Sequence, residues 1–194
     1  MSQQNQNNAP RLEDRFAIQQ AILRWCRGAD RMDWDLVRSA FHPDATDDHG
    51  MYRGGLDGLV AWLQERHKTI TCSMHCLSNV LVEFSGENSA VAESYVLAYQ
   101  RYDPPEGASR EQVVAALGET LANGELPVDI FMPARYVDEF ERRNDDWRIA
   151  KRTTVFEGRQ VLGHGAPSFH PDWQVGRRDG DDPMFVVRRR AGLD

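Results

Sequence analysis

A chain of 194 residues with 41% hydrophobic and 9% aromatic side chains is the size of one domain and can furnish a real core. Its net charge of -7, with Lys and Arg scattered, argues against a nucleic-acid or anionic-membrane binder, which needs a cationic face to displace counterions from phosphates. No stretch approaches the roughly 20 apolar residues that span a bilayer, and the N-terminus lacks the basic and apolar regions of a secretory signal, so a cytoplasmic protein is expected.

Residues 1–10 are Gln- and Asn-rich with nothing to bury, and are expected to be a disordered tail. Between Leu12 and Ala29 the residues Ile18, Ile22, Trp25 and Ala29 recur at helical steps, while Leu12, Phe16 and Leu23 fall on another side, which predicts a well-buried helix ending near Asp30. A short helix is expected over Trp34–Phe41, with Asp33 as N-cap and the His42-Pro43 pair as its stop. Asp44 to Gly55 reads as a loop with a short strand at Met51 and Tyr52. A third helix is predicted from Leu56 to Lys68, where Leu59, Val60, Leu63 and His67 share a face.

Strand chemistry follows. Met74–Phe84 and Ala90–Tyr102 are rich in Val, Leu and Tyr and flank the turn Ser85-Gly86-Glu87-Asn88; Val128–Arg142 and Trp147–Val155 repeat the pattern around Asn144-Asp145-Asp146. Two such hairpins predict an antiparallel sheet, and helices followed by strands make an α+β arrangement with helices on one face. Pro104 to Pro127, with a helix-permissive run over Arg110–Ala122, reads as an insertion. The main domain is placed at 11–160, and residues 161–194, rich in Gly, Pro and charge with spaced aromatics, are expected to wrap it as an extension, of which Pro167–Phe185 covers a pocket mouth, its own or a neighbouring copy's.

Asp30 is badly placed for the dipole of the helix it ends, where cations are favoured, so a carboxylate there asks for a reason. The bland one is solvation beside Arg31. His75 opens the first long strand, and imidazole exchanges protons near neutrality; the alternative is a satisfied core or edge histidine. Cys72, His75 and Cys76 invite a zinc reading, but a structural site needs a fourth ligand and no second Cys/His pair stands near, so no metal is expected. Three cysteines give no disulfide framework. Tyr95, Tyr99, Tyr136, Asp138, Lys151 and Arg152 are polar candidates on the later strands, Arg152 standing among apolar neighbours where a guanidinium wants an anion. No phosphate-cradling glycine motif and no hydrolase serine elbow is present, so no nucleotide cofactor is expected.

Ala17-Ile18-Gln19-Gln20 leading to Gly28-Ala29-Asp30, Met74-His75 opening a long strand, and Tyr136 to Arg143 preceding Trp147 to Arg152 together resemble the SnoaL-like group of the nuclear transport factor two superfamily over residues 11–157. The resemblance implies a cone: a strongly curved mixed or antiparallel sheet covered by N-terminal helices. It also implies elimination chemistry of the kind run by hexachlorocyclohexane dehydrochlorinase, scytalone dehydratase and bile acid 7α-dehydratase, with Asp30 and His75 as an acid/base dyad and Arg152 assisting. The position five before the aspartate, often lysine or tyrosine in the group, is Trp25, so leaving-group assistance falls to Tyr52, Tyr99 or Arg152. Trp25, Tyr52, Tyr99 and Tyr136 are the expected substrate contacts.

The expected function is therefore a lyase without cofactor or metal, acting on a hydrophobic aromatic or polycyclic molecule. It performs dehydration or a related elimination, including formaldehyde-releasing C–C cleavage of a lignin-derived diarylpropanoid, and acts as a homotrimer or dimer. The alternatives are a non-catalytic ligand-binding protein, the β-type subunit of an aromatic-ring dioxygenase, and an isomerase; the presence of both Asp30 and His75 favours catalysis, whereas the fold alone favours nothing.

Overall fold

The computed structural model describes residues 11–104, 107–117, 127–164 and 170–193. The expected tail 1–10 and part of the insertion fall outside them. Helix α1 (Leu12–Arg31) carries Ile18, Ala21, Ile22, Trp25 and Ala29 on its buried face, as the helical spacing requires. It ends where Met32 takes a left-handed conformation, φ 55°, and its N–H returns to the Gly28 carbonyl. Gly28 is there because α2 (Trp34–Ser39) crosses immediately below: a Cβ at this position would lie 2.8 Å from the Val37 backbone nitrogen. Asp33 caps α2 by accepting from the Leu36 N–H.

The His42-Pro43 pair does not end a helix, as expected, but lies inside strand β1 (Phe41–Asp48), and α2 stops at Ser39. The stretch read as a loop is thus largely strand. Proline is tolerated in it because Pro43 lies outside the Thr46–Asp48 stretch that pairs with β2 (Arg53–Gly55) and within the irregular stretch, between Phe41 and Thr46, on the other side of the strand. Helix α3 (Leu56–His67) follows, burying Leu56, Leu59, Val60 and Leu63.

The four long strands are β3 (Ile70–Phe84), β4 (Ser89–Tyr102), β5 (Val128–Arg143) and β6 (Asp146–Phe156), paired antiparallel in chain order as the two hairpins predict. A short helix α4 (Arg110–Leu117) lies in the insertion. β1 then adds to β6 in parallel, so the sheet is mixed and runs β2-β1-β6-β5-β4-β3, curved and unclosed. Residues expected only to wrap supply one more strand, β7 (Gln160–His164), on β5, and a last helix, α5 (Pro183–Arg190).

The main core lies between the helices and the concave face. Ile18, Ile22, Trp25, Phe41, Leu59, Phe140 and Ile149 pack there, all essentially inaccessible. Tyr102, Ile70, Val113, Val128 and Ile130 form a second cluster toward the other end of the strands. Among the described residues no helix is long and apolar enough to cross a membrane.

Candidate active site

Asp30 sits on the last turn of α1 and His75 on β3, and the fold brings them together. Asp30 Oδ1 and His75 Nδ1 are 2.6 Å apart; the His75 N–H donates to Oδ2 at 2.9 Å and the Ser73 hydroxyl donates to Oδ1 at 2.8 Å. Burial alone would raise the Asp30 carboxyl, but the neighbouring His75 charge and these three donors outweigh it and hold Asp30 below the ordinary carboxylate value. An anchored carboxylate of this kind fixes the Nδ1–H tautomer of the imidazole, which leaves Nε2 as the basic nitrogen.

His75 lines a cavity of about 510 Å³. Its walls are the alternate, inward-pointing residues of three adjacent strands: Val96 and Ala98 on β4, Met132 and Ala134 on β5, Thr154 and Phe156 on β6. The register sets them side by side, with Ala98 opposite His75, Met132 opposite Ala98, and Phe156 opposite Ala134. Trp62 and Arg66 close it from α3, and Tyr136 and His49 from its inner end.

Of the other residues singled out in the sequence, Tyr136 lines this cavity and Trp25 lies directly behind it, donating its indole N–H to the Tyr136 hydroxyl at 3.0 Å. Arg152 is fully buried, makes a two-pronged pair with Asp138 at 2.7 Å on each arm, and lays its guanidinium 3.9 Å from the centre of the Tyr136 ring. It does not line the cavity; it supports Tyr136 from the far side. The Asp138 charge keeps it protonated against burial. Burial also pushes the Tyr136 phenol up, so that it stays a neutral hydrogen-bonding group.

Two tyrosines stand elsewhere. Tyr52 stacks on Trp62 at 6.0 Å, behind the cavity wall, and donates to the Gly55 carbonyl. Tyr99 belongs to the opposite face of β4 from Ala98, where it lines a second hollow of about 720 Å³ with Cys72, Arg101 and Trp173. The described part of the C-terminal extension walls this outer hollow and not the cavity that holds His75. Cys72 and Cys76 are exposed, and among the described residues no group of three or more His, Cys, Asp or Glu could hold a metal ion.

Three of the residues that the sequence did not single out are instructive. Arg66 shares a face of α3 with Leu59 and Leu63, a spacing that could have placed it inward. His49 lies two residues after Asp47, a weak local signal. Arg178 has none. It reaches from beyond β7 to the end of α1 and donates to the carbonyls of Ala29 and Asp30, each at 3.0 Å, to that of Ile70 at 2.6 Å, and to His67 Nδ1 at 2.7 Å. The Ala29 and Asp30 carbonyls belong to the last turn of α1, where a cation also suits the helix dipole. Burial pushes the Arg178 guanidinium down to about 10.

A curved mixed sheet with N-terminal helices, and an imidazole–carboxylate pair at its concave cavity, defines an NTF2-like α+β fold. Residues 10–153 match the family model described as the SnoaL-like domain, and the chain belongs to that family. An uncharacterized protein of Mycobacterium tuberculosis (strain ATCC 25618 / H37Rv) is 28% identical over 145 residues, covering 73% of this chain and 84% of that protein. Among solved structures, hexachlorocyclohexane dehydrochlorinase LinA-type3 from Novosphingobium barchaimii LL02 superposes with a TM-score of 0.64 at 21% identity, covering 81% of this chain and 97% of that one. A provisionally named scytalone dehydratase from Novosphingobium aromaticivorans DSM 12444 gives 0.61 at 18% identity, with 80% and 91% covered. At these identities the likeness is one of fold.

Proposed function

We propose that this protein is a lyase that eliminates a small group from a hydrophobic molecule, with His75 as the base and Asp30 as its orienting partner, and without a cofactor. The observation that carries this is the 2.6 Å contact between His75 Nδ1 and Asp30 Oδ1 at the wall of an apolar cavity. Removing a proton from carbon needs a base held in place and poorly solvated, and a carboxylate behind the ring steadies the imidazolium that forms. Trp62, Phe156 and Tyr136 supply aromatic surface for an aromatic or polycyclic substrate. The dehydrochlorinase and dehydratase names among the fold neighbours support the same reaction class.

Assembly as a trimer or dimer belongs to this reading. The outer face of β3 and β4 exposes Met74, Leu81, Val91, Tyr95 and Leu97, apolar surface of the kind an oligomer buries. Light scattering on a sizing column tests it.

The activity is tested by turnover of hydroxylated and halogenated aromatic and steroid compounds, wild type beside His75→Ala and Asp30→Asn, with and without a chelator. Turnover that survives chelation and collapses in both variants supports the dyad. Turnover indifferent to His75 would sink it and favour a ligand-binding or subunit role.

A further inference from the structure

The cavity that holds His75 contains a second histidine with a carboxylate behind it. His49 Nδ1 lies 3.3 Å from Asp47 Oδ1 and 3.2 Å from Thr154 Oγ1, which leaves Nε2 as the ring nitrogen without these partners. Asp47 is only 3% exposed, yet neither carboxylate oxygen has a hydrogen-bond partner among the described residues. The sheet explains why it is buried. Asp47 stands opposite Arg152 across the parallel β1–β6 pair, and Arg152 is already occupied by Asp138, opposite it on β5. Arg152 Nη1 is left unpartnered beside them.

Two buried carboxylates thus stand near one guanidinium that pairs with Asp138 alone, which leaves the buried Asp47 carboxylate in want of a donor. The His49 Nδ1–H is the donor within reach of it, at 3.3 Å. The rings of Trp25 and Trp62, centred 5.8 and 5.7 Å from that of His49, flank the imidazole. Other charged groups on the cavity wall are Arg66, Arg159, Glu157 and His75, but the carboxylate of Asp47 is the one in direct reach of the His49 ring.

We propose that His49 is the proton donor of the elimination, and that the leaving group is therefore oxygen, a hydroxyl or alkoxide, rather than a halide. This rests on the reading of His75 as base. His75 Nε2 takes the proton from carbon and the C–H electron pair becomes the new π bond. The C–O bond breaks with its pair on oxygen, and His49 Nε2 delivers the proton that makes the departing group water or an alcohol. The surplus proton on His75 and the missing one on His49 are exchanged with solvent before the next turnover. Departing hydroxide is a strong base that needs this proton in the transition state, whereas chloride leaves without one.

Two measurements decide it. Nitrogen NMR of histidine-labelled protein at neutral pH should show one imidazole protonated on both nitrogens that disappears in His49→Gln and turns neutral in Asp47→Asn. A neutral His49 in the wild type overturns the proposal whatever the substrate. The second uses the aldol of benzaldehyde and acetone beside its β-chloro counterpart, which give the same enone on losing water or hydrogen chloride. His49→Gln should slow loss of water by about a hundredfold and loss of hydrogen chloride by less than about threefold. Equal slowing of both, or of neither, overturns it. If both reactions persist in His75→Ala, the dyad reading fails instead; if the wild type turns over neither ketone, the NMR result alone decides.

Discussion

Arg178 Nε donates to the main-chain carbonyl of Asp30 at 3.0 Å across a sequence separation of 148 residues, so a segment near the chain's end closes the helix whose last turn bears the dyad carboxylate. Lysine offers one compact ammonium where the guanidinium reaches four acceptors. Arg178→Lys is expected to lower kcat by about tenfold with little change in KM, as a positioning defect would. Arg178→Ala, which strands three carbonyls, should cost about 2–4 kcal/mol in urea unfolding. A fully active, fully stable alanine variant would show that the clasp is ornamental to the site.

Asp30→Asn keeps the size of the side chain but removes the charge that supports a protonated His75. A loss in kcat of about a hundredfold to ten-thousandfold is expected, with the fold intact by circular dichroism. Ser73→Ala removes one of three donors to the same carboxylate and should cost about tenfold or less, with the acidic limb of the pH–rate profile moving up as Asp30 becomes easier to protonate.

His67 gives the protein a pH-dependent stability. Burial, and then the charges of Arg178 and Arg66, hold its imidazole well below the ordinary value of 6.5, so the folded protein keeps it neutral where the unfolded chain takes up a proton. Its contribution is complete above about pH 6.5 and falls away below it, by at most about 1.4 kcal/mol per pH unit. Protonation would also place a donor against Arg178, which needs Nδ1 as acceptor. Urea midpoints between about pH 5 and 7.5 should fall less steeply in His67→Gln than in wild type; parallel curves would contradict this. Asp30 acts in a separate window: being lowered, its contribution is present above its ordinary 3.8 and is lost as pH falls from there through its folded value.

Arg152→Met leaves Asp138, itself fully buried, without its counter-charge and should cost about 3–5 kcal/mol. Adding Asp138→Leu should restore part of that stability while leaving activity low, because the support under the Tyr136 ring is gone. Equal stability of the single and double variants in chemical denaturation would show that the pair is not the strained element.

The helices and the two long hairpins were legible because each has one buried face, and burial writes its period into the sequence: Ile18, Ile22 and Trp25 for α1, alternating residues for β4 and β5. Asp30 and His75 could be picked out by chemistry and resemblance, and the fold sets them in contact. β1 was misread because His42-Pro43 has the look of a helix stop, and a parallel edge strand that borrows its partners from β6 has no local signature. Tyr52 and Tyr99 were grouped with Tyr136 by residue type alone. Which face of a strand a tyrosine takes depends on register, and Tyr99 falls one residue out of phase with Ala98. Arg178 is fixed by tertiary docking, which no window along the chain encodes.

The Asp30–His75 pair and the walls of the cavity come from different stretches of chain: the pair from the end of α1 and the start of β3, the walls from alternate residues of β4, β5 and β6. Because neighbouring positions on those strands point the other way, exchanges at Val96 or Met132 are expected to leave the outer surface, the dyad and the Thr154–His49 contact in place. The shape of the cavity is thus separable from the proposed acid–base pair, and a handful of inward positions is the natural library for altering which molecules the cavity admits.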